Sequence, residues 1–140
     1  MKKYFVLAVT ALMAFIACSK NNSDITNTLI YDGQTYRVDF QGVADNEGFY
    51  DSDIHFLDDS ALEQAWGMMW ARGKIGTYSL PVENPNDFSL TKNTYPDYDI
   101  EFKSGTAKSW LEGELVCLVV DGVLTDGKSF KLSVKTQIYE

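Results

Sequence analysis

Side chains that change character at every step constrain this chain more than any other feature of it. In Gln34–Gln41, Tyr36, Val38 and Phe40 alternate with Thr35, Arg37 and Asp39. Tyr98, Ile100 and Phe102 alternate with Asp99, Glu101 and Lys103, and the C-terminal run sets Phe130, Leu132, Val134 and Ile138 against Lys131, Ser133, Lys135 and Gln137. A helix, with 3.6 residues per turn, scatters each apolar set around its circumference. An extended strand gathers it onto one face. The period of two therefore predicts an all-β chain whose strands each bury one side.

The turn residues agree. Asp32-Gly33 separates Thr28–Tyr31 from Gln34–Gln41, and Asp126-Gly127 separates Val116–Leu124 from Lys128–Ile138. Asp-Gly tolerates positive φ and predicts tight two-residue antiparallel hairpins at both places. Asp121-Gly122 also falls inside the last apolar run, as a bulge or as an alternative turn. Placing the turn at Asp126-Gly127 leaves two better-matched strands. Phe49–Leu57 and Lys74–Leu80 read as further strands. Ser60-Ala61-Leu62-Glu63 has capping-box spacing, which predicts a helical turn over 60–65, with a strand at Trp66–Arg72 after it. A single helix over 60–72 is the alternative, weakened by Gly67 by about 1 kcal/mol relative to Ala. Pro81–Thr94 reads as a long loop. Several short antiparallel strands in one domain predict a β-sandwich, with a closed calycin- or lipocalin-like β-barrel as the alternative.

The N-terminus has a different logic. Lys2 and Lys3 precede a charge-free, mostly apolar run, Tyr4–Ala17. A permanent helical span needs roughly 20 apolar residues. A positive start, a short apolar stretch and a small residue at its end mark a removable export leader. Phe15-Ile16-Ala17-Cys18-Ser19 resembles the lipobox of bacterial lipoproteins, with Phe15 where Leu is usual. The resemblance implies cleavage before Cys18, acylation of that thiol by chains such as palmitate, and, with no Asp after the Cys, sorting to the outer membrane. Each buried acyl CH₂ contributes about 0.8 kcal/mol to the anchor. Residues 1–17 thus read as a lipoprotein signal peptide, 18–27 as a flexible tether and 28–140 as a single antiparallel β domain.

A formal net charge of −8, more negative once Lys2 and Lys3 are removed, argues against nucleic acid or an anionic membrane surface as partners. With Cys18 acylated, Cys117 has no disulfide partner. Its setting, Leu115-Val116-Cys117-Leu118-Val119-Val120, is that of a small core hydrophobe. His55 is the only histidine, lies between Ile54 and Phe56, and is accompanied by no nucleophile-elbow motif. No His/Cys spacing suits zinc, and no cofactor motif is present. Asp45-Asn46-Glu47-Gly48 offers oxygens to Ca²⁺ but lacks the EF-hand spacing. Its plainer reading is a solvated acidic turn.

Aromatic residues are the remaining signal. Trp66, Trp70 and Trp110 stand with Tyr95 and Tyr98 beyond the needs of a small core. Sugar rings stack on such faces, and sandwich cores also consume them. Trp66 and Trp70 share a parity expected of one core-facing strand side. Trp110, Tyr95 and Tyr98 are the candidate ligand contacts, with Trp110 the best placed for exposure.

The hairpin Tyr31-Asp32-Gly33-Gln34-Thr35-Tyr36, the segment Gly76-Thr77-Tyr78-Ser79-Leu80 and the late Asp126-Gly127-Lys128 turn together resemble small lipid-anchored β-domain lipoproteins of Bacteroidetes, some sandwich-like and some calycin-like. That resemblance implies an envelope location and no particular activity. A non-catalytic binding or structural module for a glycan, peptide or partner protein is the expected role. A carrier of a small apolar ligand and a hydrolase are the alternatives.

Overall fold

The computed structural model describes residues 25–44, 48–94, 97–113 and 115–137. The leader, Cys18, most of the tether, Asp45–Glu47, Tyr95 and Ile138 lie outside the described residues. The chain is all-β. Its elements are β1 (Thr28–Tyr31), β2 (Gln34–Ala44), β3 (Phe49–Phe56), α1 (Ala61–Trp66), β4 (Met69–Lys74), β5 (Gly76–Leu80), β6 (Phe88–Lys92), β7 (Tyr98–Asp99), β8 (Phe102–Glu112), β9 (Leu115–Leu124) and β10 (Ser129–Gln137).

Antiparallel pairing joins the ten strands in the order β5-β8-β9-β10-β1-β2-β3-β4-β6-β7, curled into a half-barrel. The long strand β2 is the pivot. Gln34–Arg37 pairs with β1, and Val38–Ala44 pairs with β3. The chain also crosses between the two halves at a corner. After Lys74, β4 ends, and beyond Ile75 the chain enters β5, which pairs with β8 in the other half. Ser109 holds this corner: its hydroxyl accepts from Gly76 N–H at 3.3 Å and donates to the Lys74 carbonyl at 3.3 Å. The Tyr78 hydroxyl donates to the same carbonyl at 2.9 Å.

The alternating patterns point inward as the periodicity requires. Val38, Phe40, Ile54, Met69, Ala71, Leu118, Val120, Phe130, Leu132 and Val134 are buried in one cluster on the concave side. Burial of such side chains stabilises the fold by about 25 cal/mol per Å² of apolar surface. Space for the aromatic part of this core comes from two glycines. Gly105 and Gly122 are register partners on β8 and β9, beside the irregularity between Phe102 and Ser104. A Cβ on Gly122 would lie 2.4 Å from the Ser104 carbonyl oxygen and 3.1 Å from the Phe102 ring. That ring packs edge-on against Phe130, at 5.3 Å between centroids.

The hairpins form where Asp-Gly predicts them. Asp32 (φ 50°) and Gly33 (φ 82°) make the two-residue turn. The second is longer than expected. Leu124 N–H donates to Lys128 O and Gly127 N–H to Leu124 O, leaving a three-residue loop with Gly127 at φ 89°. Asp121-Gly122 lies within β9. The Ser60 hydroxyl caps α1 by accepting from Glu63 N–H at 3.0 Å, as the capping-box spacing predicts. Gly67 (φ 65°) ends the helix.

Three further expectations need correction. Pro81–Thr94 is not one long loop: Phe88–Lys92 forms β6, whose Phe88 and Leu90 are buried against β4. Only two apolar residues alternate there, too few for the period to show in sequence. Tyr98 and Phe102 do not belong to one strand, because the chain passes from β7 to β8 through Ile100 and Glu101. Finally, Trp66 and Trp70 do not share a face. Trp66 ends α1 and inserts between Tyr31 (4.8 Å) and Phe130 (6.4 Å), closing one end of the core. At the start of the domain, Asn27 is fixed to the sheet: its carbonyl accepts from Val38 N–H at 3.0 Å and its side chain from Lys135 N–H at 2.9 Å.

Candidate functional site

Strand register assembles a row of side chains on the convex side of the β2–β7 half. Gln41 is opposite Asp53, Asp53 opposite Trp70, Trp70 opposite Thr91 and Thr91 opposite Asp99. Each has the parity that points away from the core, since Phe40, Ile54, Ala71 and Leu90 beside them are buried. Five strands thus place one half-buried Trp at the centre of a polar line.

Neighbouring rows frame it. On one side Asp51, Arg72 and Ser89 are register partners, and on the other Asp39 faces His55. The Arg72 guanidinium carbon lies 5.4 Å from the Trp70 ring centroid, while its Nε donates to Asp51 at 3.0 Å. Asp51 therefore holds Arg72 against the indole. Gln41 Nε2 donates to Asp39 at 3.2 Å and the Thr91 hydroxyl to Asp99 at 3.3 Å. Gln41, Gly42, Asp51, Asp53, Met68, Trp70 and Arg72 line an open depression of about 690 Å³. An apolar ring edged by fixed donors and acceptors suits a ligand with an apolar face and a polar rim.

The residues expected from sequence to meet a ligand do not form one site. Tyr98 is 58% exposed at the edge strand β7. It borders a second depression, of about 550 Å³, with Trp66, Lys92, Asp97, Asp99, Glu101 and Asp126. There the Lys92 ammonium sits 5.0 Å over the Trp66 ring. Trp110 lies eight residues along β8 from Phe102, roughly 26 Å at the strand rise. It is half-buried with Lys108 over its ring at 5.3 Å. Its indole N–H is shut off from solvent with no partner among the described residues. Tyr95 lies outside the described residues.

Nor do the chemically reactive groups converge. His55 is half-buried on the convex face opposite Asp39. Cys117 is buried, and burial, then the Glu112 carboxylate that accepts its S–H at 3.7 Å, push the thiol up to about 11, with Lys135 opposing. It is a protonated thiol at neutral pH. The buried hydroxyl of Ser52 donates to Ala71 O at 2.8 Å, and that of Ser109 is committed to the β4–β5 corner. Among the described residues no three of His, Cys, Asp and Glu are grouped to hold a metal, and no helix is long and apolar enough to cross a membrane.

Sequence reasoning missed Trp70 because it started the strand at Trp66. The usable signal was the parity of its neighbours: Trp70, Arg72 and Lys74 alternate with Met69, Ala71 and Gly73, so the Trp travels with the charges. Beyond this geometry, no protein-family model matches the chain, and no curated protein or solved structure matches it.

Proposed function

We propose that the chain is a lipid-tethered protein of the cell envelope, anchored through Cys18, whose β domain is a non-catalytic module that binds a carbohydrate on the Trp70 face. The observation that carries this reading is the row Gln41–Asp53–Trp70–Thr91–Asp99, with Arg72 braced against the ring. A pyranose presents apolar C–H groups to an aromatic face and hydroxyls to its rim, which matches that composition. The concave side favours a surface site over an internal one, since Tyr50, Phe130, Leu29, Ile54, Met69 and Leu118 fill it.

Calorimetric titration of the protein with a panel of envelope and plant oligosaccharides tests the binding reading, with Trp70→Ala as the paired variant. Binding by the parent chain and its loss in the variant are the expected results. Absence of any glycan binding refutes it. The anchor is tested separately by metabolic labelling with palmitate, which Cys18→Ser is expected to abolish.

A further inference from the structure

We infer that the occupant of the Trp70 face is an uncharged oligosaccharide of several units, lying across the strands along the row from Gln41 to Asp99. This deepens the carbohydrate reading and rests on it. The row crosses four interstrand spacings, about 19 Å at ~4.8 Å each. Trp70 stands at its centre, so a single ring on the indole leaves polar positions unused on both sides: Asp53 and Gln41 one way, Thr91 and Asp99 the other. A chain laid along the strands would leave the row after one unit.

Charge decides the class. Asp53 and Asp51 flank Trp70 in the depression, and Asp39 and Asp99 stand two strands away on either side, against Arg72 as the cation over the ring. That cation is already committed to Asp51. Among the described residues no side chain pairs with Asp53, which is opposite Trp70 and lines the same depression, so its carboxylate is free to accept sugar hydroxyls. Carboxylates accept hydroxyl protons well and repel the carboxylates of an acidic polysaccharide, so a neutral sugar fits and a uronide does not. The guanidinium over Trp70 likewise places a positive charge where a basic peptide would put its own, which disfavours that occupant.

The test uses the full chain purified in detergent. Calorimetry compares neutral gluco-, manno- and galacto-oligosaccharides of one to six units, oligogalacturonides of the same lengths, and a Lys-rich peptide. The expected result is affinity for at least one neutral series that rises by about tenfold or more from one unit to four. Matched uronides bind more weakly. Asp99→Asn and Gln41→Ala should each lower affinity for four-unit neutral chains by a larger factor than for a disaccharide. Uronides binding as tightly as neutral chains, or no gain with length, would overturn this inference and leave the carbohydrate reading standing. Glycan binding untouched by Trp70→Ala, or binding of the basic peptide alone, would overturn both.

Discussion

Trp66 and Trp70, four residues apart, lie on opposite sides of the sheet: Trp66, at the end of α1, is packed against Tyr31 and Phe130, and Trp70, on β4, lies outside with Arg72 over one face of its ring. The turn Gly67–Met68 between helix and strand makes the exchange. Gly67 holds φ 65°, and a Cβ there would lie 2.6 Å from the Asn93 carbonyl oxygen. One tryptophan therefore serves stability and the other is available to a ligand.

Substitution separates the two roles. Trp66→Ala should destabilise the domain by about 3–5 kcal/mol, the usual cost of emptying a large aromatic site. Trp70→Ala should change stability by no more than about 1 kcal/mol, as a surface position does. Urea denaturation followed by circular dichroism measures both.

Gly122→Ala should destabilise by about 1–3 kcal/mol through overpacking. The new methyl group meets the Ser104 carbonyl, which is backbone and cannot rotate away. A thermal melt unchanged from the parent chain would contradict the close approach of β8 and β9 at this point.

Ser60→Ala removes the acceptor for Glu63 N–H and should cost about 0.5–2 kcal/mol. Because α1 delivers Trp66 to the end of the core, the loss should also appear as a red-shifted Trp emission. Ser60→Asp, which restores an acceptor, should recover both.

Cys117 supplies a pH test. Its thiol is raised to about 11, from a usual 9.0, chiefly by burial. Between these values the unfolded chain has lost its proton and the folded chain has kept it. Stability should therefore fall as pH rises from about 9 to about 11. In a Cys18→Ser variant, iodoacetamide at pH 8 should modify Cys117 slowly in the native protein and rapidly in urea. Equal rates in both would show the thiol to be accessible.

Much of the fold was legible in local pattern. Alternation at Tyr36–Phe40 and Phe130–Val134 identified strands and their buried faces, because side-chain period depends on backbone geometry alone. Ser60 and Glu63 marked the start of a helix through one hydrogen bond within a single turn. Phe88–Lys92 was hidden, since its pattern is short and it becomes a strand by pairing with β4. The candidate site was harder still. Tyr98 and Trp110 drew notice as aromatics in polar surroundings, yet neither belongs to the row centred on Trp70.

Local sequence determined that this chain forms antiparallel strands, where its Asp-Gly hairpins turn, and which side of most strands faces inward. Those properties follow from dihedral preference and from the alternation of side chains about one backbone. Tertiary structure alone decided that Gln41, Asp53, Trp70, Thr91 and Asp99 stand in line. They come from five strands, and their alignment depends on four successive registers between residues 8 to 21 positions apart in the chain, set by how the shared core packs.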